Sequence, residues 1–291
     1  MFTFNSDGTM TRNHSLYPNT AATPDPNDDT IALSKDVPVN QSNNTWVRIF
    51  LPRQALDSST DTKFPLVVYT HGGGLLLLSA ATKIYHDLCS EIASRVPAII
   101  VSVDYRLAPE HRLPAAYDDA VEVLQWVKTT QEHCGGGNIA YHAALQAAAQ
   151  VDDLLPLKIK GLILLKPFFG GVKRTESELR LANQPILPPP QTDFTWQLAL
   201  PIGADRDHEY SNPIVGGGSK FLDQFRLLGW KVMVTGGSED TLFDRQVELA
   251  KLMEQKGVNV VSYFDDSPHD MIGDPVKLEA LYVNIKKFIS S

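Results

Sequence analysis

The chain has only two cysteines, Cys89 and Cys134, in 291 residues. That is too few for a disulfide framework and fits a reducing compartment. No charged-then-apolar leader precedes the sequons at Asn13-His-Ser15, Asn40-Gln-Ser42 and Asn43-Asn-Thr45. They are therefore expected to stay unglycosylated, in a cytoplasmic protein. Basic residues are in deficit, 26 Lys and Arg against 34 Asp and Glu, for a net charge of −8. A phosphate-binding surface needs the opposite balance, and no basic cluster with interleaved aromatics occurs, which excludes nucleic acid as a partner. Apolar runs are strand-length and bounded by Pro or Gly, too short to cross a bilayer, so no membrane partner is expected. Repeats are absent, and the only low-complexity stretch is Pro188 to Pro190.

What is present is enough apolar mass, 43% of residues, for a large core. The length suits one α/β domain spanning 1–291. Residues 1–30, rich in Asn, Asp, Thr and Pro, read as an arm or lid. Ile31 to Val37 and Thr45 to Leu51 read as strands, the second alternating through Trp46-Val-Arg48-Ile-Phe50. Further strands are expected at Phe64 to Tyr69, Ala98 to Val103, Leu162 to Leu165, Lys231 to Thr235 and Asn259 to Phe264. Helices are expected at Ala80 to Arg95, Ala120 to Lys128, Asn138 to Ala149 and Pro275 to Ile289. Residues 173–219 form a proline-interrupted insertion long enough to cap a pocket. This alternation specifies an α/β fold with a mostly parallel central sheet and helices on both faces. Ligands then sit at the carboxyl ends of strands.

Three such ends carry chemistry. Leu66-Val-Val-Tyr-Thr-His-Gly-Gly-Gly74 joins a buried strand to three glycines whose N–H groups are free to face a developing oxyanion; a glycine-rich turn is the alternative. The four leucines that follow, Leu75 to Leu78, suit the wall of an apolar pocket. Asp240 follows one later strand and His269 the next. A histidine there can serve as general base with the aspartate orienting its imidazole, although Asp240 also reads as a helix N-cap for Thr241 to Glu254 and His269 as a surface loop residue. In Asp104 to Asp119, the residues Arg106, Glu110, Asp118 and Asp119 read as an ion-paired network holding a long loop.

His71-Gly-Gly-Gly74, Asp104-Tyr-Arg-Leu-Ala-Pro-Glu-His111, Leu113-Pro-Ala-Ala-Tyr-Asp-Asp119, Gly136-Gly-Asn-Ile-Ala-Tyr-His142 and Asp240-Thr-Leu-Phe-Asp244 together resemble plant carboxylesterases of the hormone-sensitive-lipase type, with the α/β-hydrolase fold. The resemblance covers nearly the whole chain. It implies an ester hydrolase with a Ser-His-Asp triad, whose last two places are filled by His269 and Asp240. Gly72, Gly73 and Gly135 would be the oxyanion donors. It implies no cofactor and no metal. A small apolar ester or other small-molecule ligand would lie against Leu75, Leu76, Phe168 and Trp196. The oligomeric state is left open.

The chain departs from this pattern at the nucleophile. Aligning Gly136-Gly-Asn138 with Gly-x-Ser-x-Gly-Gly-Asn puts Cys134 at the serine and Glu132 at the first glycine. Val127 to His133 contains no apolar strand, so the central nucleophile-bearing strand reads as deleted and the chain as an incomplete gene product. Strands lie about 4.8 Å apart, so such a deletion separates the neighbouring strands. Each stranded buried backbone group would cost about 1–3 kcal/mol, against a total stability of about 5–15. Thr129 to Cys134 could serve as a poor substitute strand, or the sheet could close up. Three functional readings follow: a carboxylesterase with crippled catalysis; a thiol enzyme using Cys134 with His269 as base, unless Cys134 is a junction residue; or a non-hydrolytic binder, eliminase or cyclase on the same scaffold. The related gibberellin receptors lack the catalytic histidine, whereas His269 is kept here.

Overall fold

The computed structural model describes residues 2–7, 9–13, 15–56, 63–128, 137–215, 222–270 and 274–291. The arm opens as a small hairpin, β1 (Phe2–Phe4) against β2 (Met10–Arg12), with Phe2 opposite Arg12. It is followed by β3 (Ala32–Asn40), β4 (Thr45–Pro52), β5 (Leu66–Thr70), α1 (Lys83–Arg95), β6 (Ile99–Asp104), α2 (Ala115–Lys128) and α3 (Gly137–Ala149). Next come β7 (Gly161–Leu164), α4 (Glu176–Arg180), α5 (Pro189–Ala199), α6 (Leu222–Leu227), β8 (Lys231–Gly237), α7 (Phe243–Gln255), β9 (Asn259–Asp265) and α8 (Pro275–Ser290). Among the described residues no helix is long and apolar enough to cross a membrane.

Alternate residues of a strand face opposite sides, and the buried residues divide accordingly. Val68, Val101, Leu162, Leu164, Val232 and Val234 join one apolar cluster with residues of α2, α3 and α7. Tyr69, Ile100, Ile163 and Met233 join a second with residues of α1 and α8. Helices therefore cover both faces, as the apolar strand runs require.

Among the described residues the central sheet is in two pieces. One has the order β3-β4-β6-β5, antiparallel except for β5 with β6; the other is the parallel set β7-β8-β9. The facing edges β5 and β7 do not pair. Helix α3 touches both, and its alanines Ala140, Ala143 and Ala144 enclose a void of about 30 Å³ with Val68 and Thr70 on one side and Gly161 and Leu162 on the other. Small side chains let this helix approach both edges. Thr129 to Cys134, the expected substitute strand, lies outside the described residues.

Two local expectations need correction. Helix α2 starts at Ala115 rather than Ala120, because Pro114 opens it: the Tyr117 and Asp118 amides donate to the Pro114 carbonyl at 2.7 and 3.1 Å. Proline suits the first turn of a helix, where a donor would go unused. The expected network of Arg106, Glu110, Asp118 and Asp119 is two separate anchors. Asp119, fully buried, takes both the backbone N–H and the guanidinium of Arg106 at 2.8 Å. Glu110 instead takes the guanidinium of Arg12 at 2.7 Å. Arg12 also donates to the Leu76 and Ala108 carbonyls at 2.6 and 2.8 Å. This pins the arm to the glycine-rich loop and brings Phe2 parallel to Phe194 of α5, with ring centroids 6.3 Å apart.

Candidate active site

Strands β8 and β9 pair in parallel through Gly237 opposite Asp265, so their carboxyl ends lie side by side. A Cβ on Gly237 would stand 1.9 Å from the Ser267 carbonyl; only glycine lets the loop after β9 fold back over β8. That fold-back brings His269 Nδ1 to 2.8 Å from Asp240 Oδ2. Asp240 is 1% exposed and accepts two further bonds, from the Leu242 N–H at 2.9 Å and the Gln246 amide at 2.8 Å. Burial by itself would raise its carboxyl, but the His269 imidazole and these donors outweigh burial and hold it below the usual carboxylate range. As an ionised acceptor it fixes His269 with its proton on Nδ1 and leaves Nε2 as the basic nitrogen. Asp240 is not the N-cap of α7, which starts at Phe243 with Leu242 as its N-cap and no side-chain cap. Asp244 faces away and takes the Ser177 amide at 2.7 Å.

The glycine-rich loop is shaped by backbone that only glycine adopts easily. Gly73 has φ 116° and Gly74 φ 62°; a Cβ on Gly73 would meet the Leu77 carbonyl at 2.1 Å. The Gly73 carbonyl takes the Leu76 and Leu77 amides at 3.2 and 3.1 Å. Leu75 and Leu78 follow at φ 67° and 75°, a strained conformation for leucine. His71 braces the loop from below. Its Nδ1 donates to the Gly72 carbonyl at 2.7 Å, its ring lies on Tyr105 with centroids 4.3 Å apart, and the Tyr105 hydroxyl donates to the His71 carbonyl at 2.8 Å. Burial lowers the His71 pKa despite the nearby Asp104 carboxylate, which favours the neutral ring.

The loop and His269 share a cavity of about 380 Å³. Gly72, Gly73, Leu75, Leu76 and Phe168 line it, as expected from sequence. Trp196 does not: it is fully buried and stacks behind Phe168, centroids 5.0 Å apart, so it supports the wall rather than forming it. Its neighbours Phe194 and Thr195 line the cavity instead. Cys134 and Gly135 lie outside the described residues. Sequence reasoning missed Tyr85, whose hydroxyl lies where a Cβ on Gly72 would come within 2.6 Å of it, and Lys166, two residues past the end of β7; both line the cavity. The only available signal for Lys166 was a charged residue ending an apolar strand.

A family profile described as alpha/beta hydrolase fold matches residues 67–273. Carboxylesterase 20 of Arabidopsis thaliana is 49% identical over 307 residues, covering 99% of this chain and 94% of that protein. The aligned length exceeds the 291 residues of this chain. At least sixteen positions of that relative therefore have no counterpart here. The rice gibberellin receptor GID1 is more distant, 35% identical over 219 residues, covering 70% of this chain and 60% of the receptor. Among solved structures, an esterase from Pyrobaculum calidifontis superposes with TM-score 0.73 at 23% identity, covering 91% of this chain and 88% of that one.

Proposed function

On the premise that this chain belongs to the α/β-hydrolase fold family, as a hydrolase of the carboxylesterase group, we propose that Asp240 and His269 are its acid–base pair, that Gly72 and Gly73 supply oxyanion donors, and that its turnover is impaired at the nucleophile. The observation carrying the reading is the 2.8 Å contact of His269 with Asp240, in one cavity with the glycine-rich loop.

The chemistry follows from that arrangement. With Nδ1–H held by the carboxylate, Nε2 takes a proton from an attacking nucleophile and returns it to the leaving alcohol. The developing charge on the ester carbonyl oxygen is met by backbone N–H groups of the loop. The apolar walls, to which Phe2 of the arm contributes, favour an ester with a small to medium apolar acyl group.

Impairment is supported by three features: Cys134 and Glu132 stand in the elbow positions, β5 and β7 remain unpaired among the described residues, and at least sixteen positions of the Arabidopsis relative are unmatched. In a triad enzyme, loss of the nucleophile alone costs about 10⁶ in kcat. The purified chain should thus hydrolyse p-nitrophenyl acetate at most marginally. Replacing residues 129–136 with the corresponding segment of the Arabidopsis relative should restore turnover. Full activity of the unaltered chain that survives iodoacetamide would overturn the impairment; an inactive but folded restored chain would overturn the pair's assignment.

A further inference from the structure

The cavity is lined by a buried lysine that the hydrolytic chemistry does not use. Lys166 is 6% exposed, and among the described lining residues it is the only lysine or arginine. Its backbone is committed: φ is 39°, and its N–H donates to Thr235 Oγ1 at 3.0 Å. Its Nζ donates to Ser267 Oγ at 2.7 Å and to the Pro268 carbonyl. An ammonium has three N–H donors, and no further hydrogen bond or ion pair of Nζ occurs among the described residues. The carboxylates that face it, Asp240, Asp265 and Asp270, lie beyond ion-pair distance, and the Lys277 ammonium repels it. Asp240 is engaged by His269, and Asp265 by Ser267 and Lys277. Burial lowers the Lys166 pKa, and those carboxylates partly offset the effect. A charge taken from water without a close partner is unfavourable, and a ligand anion would relieve it.

We propose that Lys166 Nζ anchors the carboxylate of an apolar monocarboxylic acid, or of an ester bearing one free carboxylate, whose body lies against Leu75, Leu76, Ile84, Leu165, Phe168 and Leu281. A single cation matches a single carboxylate through a charge-assisted hydrogen bond. A phosphate dianion would need more positive charge than this cavity holds among its described residues. Binding of this kind needs no nucleophile, so it stands apart from the hydrolase reading.

The test is calorimetric titration of the full chain at pH 7 with 1-naphthoate and with its neutral analogue 1-naphthamide. Naphthoate should bind about ten-fold tighter, a difference of about 1.4 kcal/mol. In Lys166→Met the two affinities should converge while naphthamide binding is retained, with circular dichroism establishing that the variant is folded. Should that variant fail to fold, the unaltered protein still decides: between pH 7 and 10 the naphthoate affinity should fall as Lys166 loses its proton, and the naphthamide affinity should not. Inorganic phosphate should not displace naphthoate. Equal affinities in the unaltered chain, a preference that persists in folded Lys166→Met, a pH-independent naphthoate affinity, or displacement by phosphate would each overturn the proposal. None of these results bears on hydrolysis of neutral esters.

Discussion

His269 Nδ1 and Asp240 Oδ2 lie 2.8 Å apart although 29 residues separate them in the chain. The pairing rests on the in-register carboxyl ends of β8 and β9 and on one glycine, Gly237. In a chain whose elbow has been restored, Asp240→Asn should lower kcat for p-nitrophenyl acetate by roughly 10³–10⁴-fold, because the amide favours the wrong imidazole tautomer. An unchanged kcat would show that Asp240 has no part in the reaction.

Gly73→Ala should disrupt the oxyanion loop. The new methyl would collide with the Leu77 carbonyl at a backbone conformation alanine rarely adopts. The expected cost is about 1–3 kcal/mol, read as a lower urea midpoint. In the restored chain the same change should reduce kcat more than it raises KM.

His142 is buried beneath Tyr117, ring centroids 4.6 Å apart, and its Nε2 donates to the Tyr210 carbonyl at 3.2 Å. Burial pushes its pKa down to about 3. The unfolded chain takes up that proton near pH 6.5 and the folded chain only near the lower value. Stability should therefore be intact above 6.5 and fall by up to about 1.4 kcal/mol per pH unit below it. His142→Gln should flatten this limb in urea titrations run between pH 7 and 4. An identical slope in the variant would assign the loss to other groups.

Cys89 is fully buried, and burial pushes its thiol up to about 12. Iodoacetamide at pH 8 should leave it unmodified in the native protein and alkylate it in 6 M urea, as peptide mass mapping would register. Native labelling is then a direct report on Cys134. An inflection near pH 8.5 marks an ordinary thiol, and one well below it, lost in His269→Ala, marks a thiolate beside an imidazolium.

Arg12 ties the arm to Glu110 and to the Leu76 and Ala108 carbonyls. Arg12→Ala should free Phe2 and Phe4 from Phe194, speeding proteolysis within residues 2–12 and weakening naphthamide binding several-fold. The cost in stability should be about 1 kcal/mol, because the pair is partly exposed. Asp119→Ala, which leaves the Arg106 guanidinium without its buried partner, should cost about 3–5 kcal/mol by the same urea assay.

The sequence by itself determined the α/β class, the succession of strands and helices, the glycine-rich loop and the two strand ends that carry Asp240 and His269. These are local properties: apolar period, glycine placement and chain order, all of which survive without knowledge of neighbours. Folding alone decided what depends on distant partners. Glu110 found Arg12 across 98 residues rather than Arg106 nearby. Trp196 turned behind Phe168 because the aromatic surface of α5 is divided between core and cavity. The N-terminal turn of α2 was hidden by charges and prolines that read as loop. Lys166 became a cavity residue only because the loop after β9 closed over it. Local pattern fixes which face of an element is apolar; which residues from other elements meet that face is set by packing at long sequence separation.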